Sequence, residues 1–175
     1  SFAESKGLTT EDWGYQAQLS HEPSDNVSVC GWHGPGVHQS VVTCRRGVAS
    51  GLGWLVERIP DPQGLIQTTR RLLEALEFEG PFELEFVFDP DTKVYRVIEL
   101  NPRFWMQHRL VQALTDHALV RRALGRRASV EIQEDGPRFW LQTDVAITRP
   151  LITSRYVSRA VWAHPAKGSI QALIR

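Results

Sequence analysis

Residues 82–88, Phe-Glu-Leu-Glu-Phe-Val-Phe, run through Asp89-Pro90-Asp91-Thr92 into Lys93-Val94-Tyr95-Arg96-Val97-Ile98-Glu99-Leu100-Asn101. Two β-patterned runs joined by a Pro-Asp turn specify an antiparallel β-hairpin. Successive strand side chains point to opposite faces, so Leu84, Phe86 and Phe88 face one way and Glu83, Glu85 and Val87 the other. On the returning strand Ile98 and Leu100 share a face, which leaves Glu99 and Asn101 together on the opposite one. A turn centred near residue 92 sets Glu85 opposite Glu99. The hairpin therefore needs a core on one side and gathers oxygen donors on the other.

The rest of the chain builds around it. Asp61 reads as an N-cap with Pro62 at the first helical position, and Leu65, Ile66, Thr69, Leu72, Leu73 and Leu76 recur on one helical face until Gly80-Pro81 stops it. Upstream, Val27–Trp32 and Val37–Arg45 form a hairpin around His33-Gly34-Pro35-Gly36, Glu22–Asn26 is turn chemistry, and Trp54–Arg58 and Tyr15–Leu19 are further strands. Downstream, helices are expected over 105–114 and from an Asp116 cap to Leu124, with Gly125 as the stop. Strands are expected at Pro137–Ile147 and Tyr156–Trp162. Residues 1–14 are a loose lead-in, and 15–175 form one folded unit. The fold class is α+β, an antiparallel β-sheet flanked by helices.

Charge removes several function classes. Twenty Lys+Arg balance twenty Asp+Glu at a pI near 7.0, whereas a sequence-independent nucleic-acid binder needs a cationic surplus on one face. No apolar run is long enough to span a bilayer and no signal peptide is visible, so the expected location is cytoplasmic, with no membrane partner. Cys30 and Cys44 lack metal-type spacing and read as free strand thiols. The single methionine is Met106 and the chain opens Ser1-Phe2-Ala3-Glu4, so a piece of something longer is expected.

Glu85, Glu99 and Asn101 on one hairpin face outline a divalent-cation site. Hard cations such as Mg²⁺ take oxygen ligands, commonly one or two carboxylates, with phosphate oxygens and water completing the shell. Arg103, two residues past Asn101, can meet phosphate charge with its fork of donors.

The run Glu99-Leu100-Asn101-Pro102-Arg103, together with Glu85-Phe86 fourteen positions before Glu99, resembles the Glu-x-Asn-Pro-Arg signature of the ATP-grasp superfamily. The capped helix before it and the helical segment after it are similar to the carbamoyl-phosphate-synthetase-like branch. The resemblance implies the C-terminal lobe of an ATP-grasp fold, without the small lobe that brings a glycine-rich loop over the phosphates. It implies Glu85, Glu99 and Asn101 as ligands of Mg²⁺ (or Mn²⁺), and these with Arg103 and Gln18 as ATP-binding residues, Gln18 lying on the hinge strand near the adenine. Arg103 is the implied catalytic residue. The implied chemistry is ATP-dependent activation of a small carboxylate as an acylphosphate, attacked by an amine to form a C–N bond. The isolated chain would be incomplete and inactive, and would associate as a homo-oligomer or with a missing N-terminal region. The alternative is a non-catalytic remnant with a binding or regulatory role.

Other motifs have plainer readings. His33 and His38 read as exposed turn histidines rather than metal ligands, and Gly31–Gly36 as a hairpin turn rather than a phosphate loop. Arg45 and Arg46 are divided between phosphate contacts and ordinary surface charge. Arg138, Arg149 and Arg155 could neutralise an acidic substrate but are equally ordinary surface arginines.

Overall fold

A computed structural model describes residues 26–49, 52–128, 132–143, 156 and 159–162. Strand β1 (Val27–Gly34) pairs antiparallel with β2 (Val37–Ala49) on one side and with β4 (Gly80–Asp89) on the other. Around it lie β3 (Leu52–Ile59), β5 (Val94–Asn101), β6 (Phe139–Leu141) and β7 (Ala160–Trp162), in the order β5-β4-β1-β2-β3-β6-β7. The pairings that join β1 to β6 are all antiparallel, as expected. β7 departs from this and runs parallel to β6; residues 142–159 give the connection the length a parallel crossover requires.

Both faces of the sheet are covered, because alternation leaves apolar residues on each. Val27, Val29, Val42, Cys44, Phe82, Leu84 and Phe86 pack on Leu65 and Leu73 of α1 (Leu65–Ala75). On the other face Cys30, Val41, Val56 and Trp140 pack on Trp105, on Leu110, Val111 and Leu114 of α2 (His108–Leu114), and on Leu119 of α3 (Ala118–Ala123). Leu73, Leu84, Leu110, Leu114 and Leu119 are fully buried, each contributing about 1.5–3 kcal/mol of transfer free energy. Cys30 and Cys44 face opposite cores, which keeps them apart as free thiols.

Helix boundaries differ from the sequence reading for reasons of backbone geometry. Gln63 and Gly64 take positive φ values of 60° and 72°, so α1 starts at Leu65 rather than after Asp61. Asp61 still serves the helix end: its Oδ1 accepts from the Leu65 N–H at 2.7 Å and its Oδ2 from the Ile66 N–H at 3.2 Å. The helix ends before Gly80 because Glu77 turns left-handed at φ 50° and the Phe78 N–H reaches the Leu73 carbonyl at 3.0 Å, a Schellman closure made without glycine. Leu76 lies past that closure and is exposed. Trp105 belongs to the turn before α2, and His117, not Asp116, holds the N-cap of α3.

Toward the C-terminus, β6 and β7 are shorter than expected, and residues 144–147 lie outside the described ones. So do the lead-in 1–14 and the strand expected at 15–19. Among the described residues, no helix is long and apolar enough to cross a membrane.

Candidate functional site

The β4–β5 register places Glu85 directly opposite Glu99 and Glu83 opposite Asn101, so the hairpin brings together the three donors expected from sequence. The ladder steps between Glu85 and Phe86, which pairs with Val97, and Ile98 becomes an extra residue in β5. The expected regular alternation of Ile98 with Leu100 is broken there, and Val97 is left exposed. Pairing of β1 with β4 and β2 extends the rows, with Thr43, Ser28, Glu85 and Glu99 in one and Val41, Cys30, Glu83 and Asn101 in the next. These rows lie on the α2–α3 face of the sheet.

The donors differ in access. Glu85 and Asn101 are buried, at 6% and 8% exposure, and Glu99 is exposed. Arg45 on β2 donates from Nη2 to Glu85 Oε1 at 2.5 Å, and Asn26 donates from Nδ2 to Glu85 Oε2 at 3.5 Å. Asn101 donates from Nδ2 to Glu83 Oε2 at 3.5 Å and accepts on Oδ1 from Arg103 Nη2 at 3.2 Å. Arg103 is exposed, and besides Asn101 it donates from Nη1 to the Phe104 carbonyl at 3.2 Å.

Three carboxylates in two rows concentrate negative charge. Burial, followed by the charge of Glu85, pushes Glu83 up to about 7, with Arg45 and a hydrogen bond from Ser28 pulling the other way. Burial, and next Glu83, also pushes the Cys30 thiol up, which suits a packing role for that side chain.

The donor set fits a hard divalent cation. Like charges directly opposite on neighbouring strands repel, so Glu85 and Glu99 are suited to share a positive partner. The buried Asn26 Oδ1 beside Glu85 has no hydrogen-bond partner. Among the described residues no three His, Cys, Asp or Glu side chains form a ligand cluster, and here the third oxygen donor is the amide of Asn101.

Glu83, Asn26 and Ser28 were missed as members of the site. Glu83 carried a signal, since it shares a strand face with Glu85. Asn26 read only as a turn residue. Arg45 and Arg46 are both committed within the protein, Arg46 donating from Nε to the buried Glu57 at 2.7 Å, with Arg138 on the other Glu57 oxygen at 2.7 Å. Gln18, Arg149 and Arg155 lie outside the described residues. His33 and His38 are not exposed turn side chains: His33 is 7% exposed, and the pair lies on the α1 face, away from the acidic rows.

Residues 61–131 match the family model described as carbamoyl-phosphate synthase L chain, ATP binding domain. The match takes in α1, the β4–β5 hairpin, Arg103 and helices α2 and α3, and is less than half of the chain. No curated protein matches the sequence. Among solved structures, the chain is similar to the biotin carboxylase domain of a single-chain bacterial carboxylase, with a TM-score of 0.50 and 19% identity over 68% of this chain and 32% of that one. It is also similar to the phosphoribosylaminoimidazole carboxylase ATPase subunit from Aquifex aeolicus, with a TM-score of 0.48 and 16% identity over 62% of this chain and 35% of that one. A third is N5-carboxyaminoimidazole synthetase from Staphylococcus aureus complexed with ADP, with a TM-score of 0.47 and 14% identity over 62% and 32%. The chain spans about a third of the length of these structures. At 19% identity the first likeness is one of fold alone.

Proposed function

We propose that this chain is the phosphate- and cation-binding portion of an ATP-dependent carboxylate–amine ligase, the C-terminal lobe of its ATP-grasp domain. The observation that carries the reading is the Glu85–Glu99 pair set opposite in register, with Asn101 on the same face, inside the segment that matches an ATP-binding family model.

In this reading Glu85, Glu99 and Asn101 would hold Mg²⁺ (or Mn²⁺) through oxygen, with Glu99 the exposed member. A cation held there would supply neutralisation of the charge that develops on the transferring phosphoryl group. Arg103, held at Asn101 Oδ1, orients its remaining N–H groups toward the transferring phosphoryl group. A substrate carboxylate oxygen attacks the γ-phosphorus and ADP leaves, giving an acylphosphate. An amine then attacks the acyl carbon and inorganic phosphate leaves, so no protein nucleophile is needed. Gln18 is assigned to the adenine end, and the region that closes over the phosphates is supplied by sequence outside this chain.

One observation favours a second reading, a non-catalytic remnant: the Arg45 guanidinium already occupies a Glu85 oxygen. Calorimetric titration with ADP in Mg²⁺, beside Glu99→Gln, separates the two. Cation-dependent ADP binding that disappears in the variant supports the ligase reading. Absence of binding in a chain extended upstream by the missing lobe supports the remnant.

A further inference from the structure

A cavity of about 590 Å³ lies between the β1–β2 hairpin tip and the C-terminal part of α1. His33 and His38 are direct cross-strand partners, so both imidazoles stand on the same side of the ribbon, and both line the cavity. Their Nδ1 atoms lie 3.0 Å apart. The far nitrogen of His38, Nε2, is 3.0 Å from Ser40 Oγ, and the His38 ring stacks on Phe82 of β4 with centroids 5.7 Å apart. Three strands and a helix thus meet around the two rings.

A hydrogen bond between two ring nitrogens needs one N–H and one lone pair, so the facing Nδ1 atoms share a single proton. Neutral His38 is fully served, its one N–H and its one lone pair being divided between His33 and Ser40. One extra proton on the pair is also compatible, because one of the facing Nδ1 atoms still keeps its lone pair. A second puts an N–H on both facing atoms and sets two cationic rings against each other, where His33 is buried and water screens them little.

The charged neighbours relieve little of this. From α1, Arg70, Glu74 and Glu77 join the lining, and Glu74 is already engaged by Arg70 at 2.8 Å. Glu79, in the segment before β4, lies over Gly34 on the Trp32 side, across the ribbon from the histidines. Phe82 of β4 is uncharged. Burial, then the His33 charge and then Arg70 hold the His38 imidazole down at about 4, with Glu74 pulling the other way. A base whose folded value lies below its unfolded value of about 6.5 contributes fully above that pH, and its contribution is lost as pH falls toward about 4.

We propose that the His33–His38 pair is a proton-operated clasp: it holds the β1–β2 hairpin tip against α1 while it carries at most one extra proton, and uptake of the second parts the rings and opens the cavity. The device depends neither on the acidic rows nor on the ligase reading. It adjoins the rows through the chain, since His33 pairs with Gly80, the first residue of the strand that carries Glu83 and Glu85.

The test follows the 175-residue chain from pH 7.5 to pH 4.5 with two readouts. Long-range ¹H–¹⁵N NMR reads the protonation of each ring nitrogen, and hydrogen exchange, corrected for its intrinsic pH dependence, reads the opening of residues 31–40. Expected are one Nδ1–H in the pair at pH 7.5 and proton uptake in two separate steps. Tip amides should exchange at least about tenfold faster at pH 4.5 than at pH 7.5, with no comparable change in the β4–β5 hairpin. His33→Gln and His38→Gln, each checked for folding by circular dichroism, remove the second proton and should lose that dependence. Arg70→Gln leaves both rings in place and should move the second step to higher pH, so it tests the clasp even where a ring substitution unfolds the tip. Uptake by both rings in one step, tip exchange in the parent that does not change with pH, an unmoved second step in Arg70→Gln, or an unchanged pH dependence in the two folded histidine variants overturns the proposal.

Discussion

Replacing Arg45 by Met removes the guanidinium from Glu85 while keeping most of the stem that packs along β2. In the parent, Arg45 is about one-fifth exposed and Glu85 is nearly buried, with side-chain exposures of 20% and 8%. Breaking a fully buried pair by deleting one partner costs roughly 3–5 kcal/mol because the other charge is stranded. Partial exposure of Arg45 lets water screen the pair, which brings the expectation down to about 2 kcal/mol. For a chain of this length that corresponds to a fall in melting temperature of roughly 4–8 °C. Urea denaturation is the assay, with the m-value held constant between variants. The decisive comparison is the double variant Arg45→Met/Glu85→Gln, which removes the stranded charge and should recover about 1 kcal/mol of what the single variant lost. Mg²⁺ should also stabilise Arg45→Met more than the parent, because Glu85 is then free to ligate; at tenfold over its Kd the gain is about 1.4 kcal/mol. A loss below about 0.5 kcal/mol in Arg45→Met, or a double variant less stable than the single one, would refute the view that Arg45 stands in for a cation at Glu85.

Glu99→Gln should leave stability within about 0.5 kcal/mol in urea, since Glu99 is exposed, and should abolish Mg²⁺-dependent ADP binding. Gly31→Ala should cost about 3 kcal/mol or more in the same assay, because the new Cβ would stand 1.8 Å from the Gln39 carbonyl oxygen on the paired strand, where backbone must move. Asp89 accepts from Thr92 Oγ1 at 2.6 Å, from the Asp91 and Thr92 N–H groups, and from Arg96, and these bonds, the Thr92 hydroxyl first, hold its carboxyl down at about 2. A depressed folded-state value means that its contribution is complete above the unfolded value near 4 and is lost as pH falls toward about 2. Thermal melts between pH 5 and pH 2 should therefore fall more steeply for the parent than for Asp89→Asn; parallel curves would count against the Asp89 turn as the source.

The central hairpin was legible because its information is local. The expectation of Glu85 against Glu99 takes a turn centred near 92, whereas the turn pairs Asp89 with Val94. The extra residue at Ile98, lying between the turn and the pair, is what brings Glu99 rather than Ile98 opposite Glu85. What surrounds the pair was not legible for the opposite reason. Arg45 and Asn26 reach Glu85 across 40 and 59 residues of chain, and only the order of β4, β1 and β2 brings them there. Helix ends were misplaced where Gln63, Glu77 and His117 adopt positive φ, a conformation that sequence reading assigns to glycine. The histidine pair looked like a turn because five residues of spacing does not reveal that α1 folds over the hairpin tip.

The bulge in β5 has a bearing on how this molecule behaves in company. Among the described residues β5 is an outer strand of the sheet, and its exposed Val94 and Val97 are the kind of edge onto which a second chain can add a strand. The extra residue at Ile98 interrupts the spacing of outward N–H and C=O groups, while exposed Lys93 and Arg96 place charge along the same stretch. A deletion of Ile98 would leave Glu85 facing Glu99, since the same pairs would remain in register, but it would straighten the rim. The resulting protein should keep its acidic rows and yet precipitate more readily, so the irregularity next to the donor pair also guards the chain against self-association.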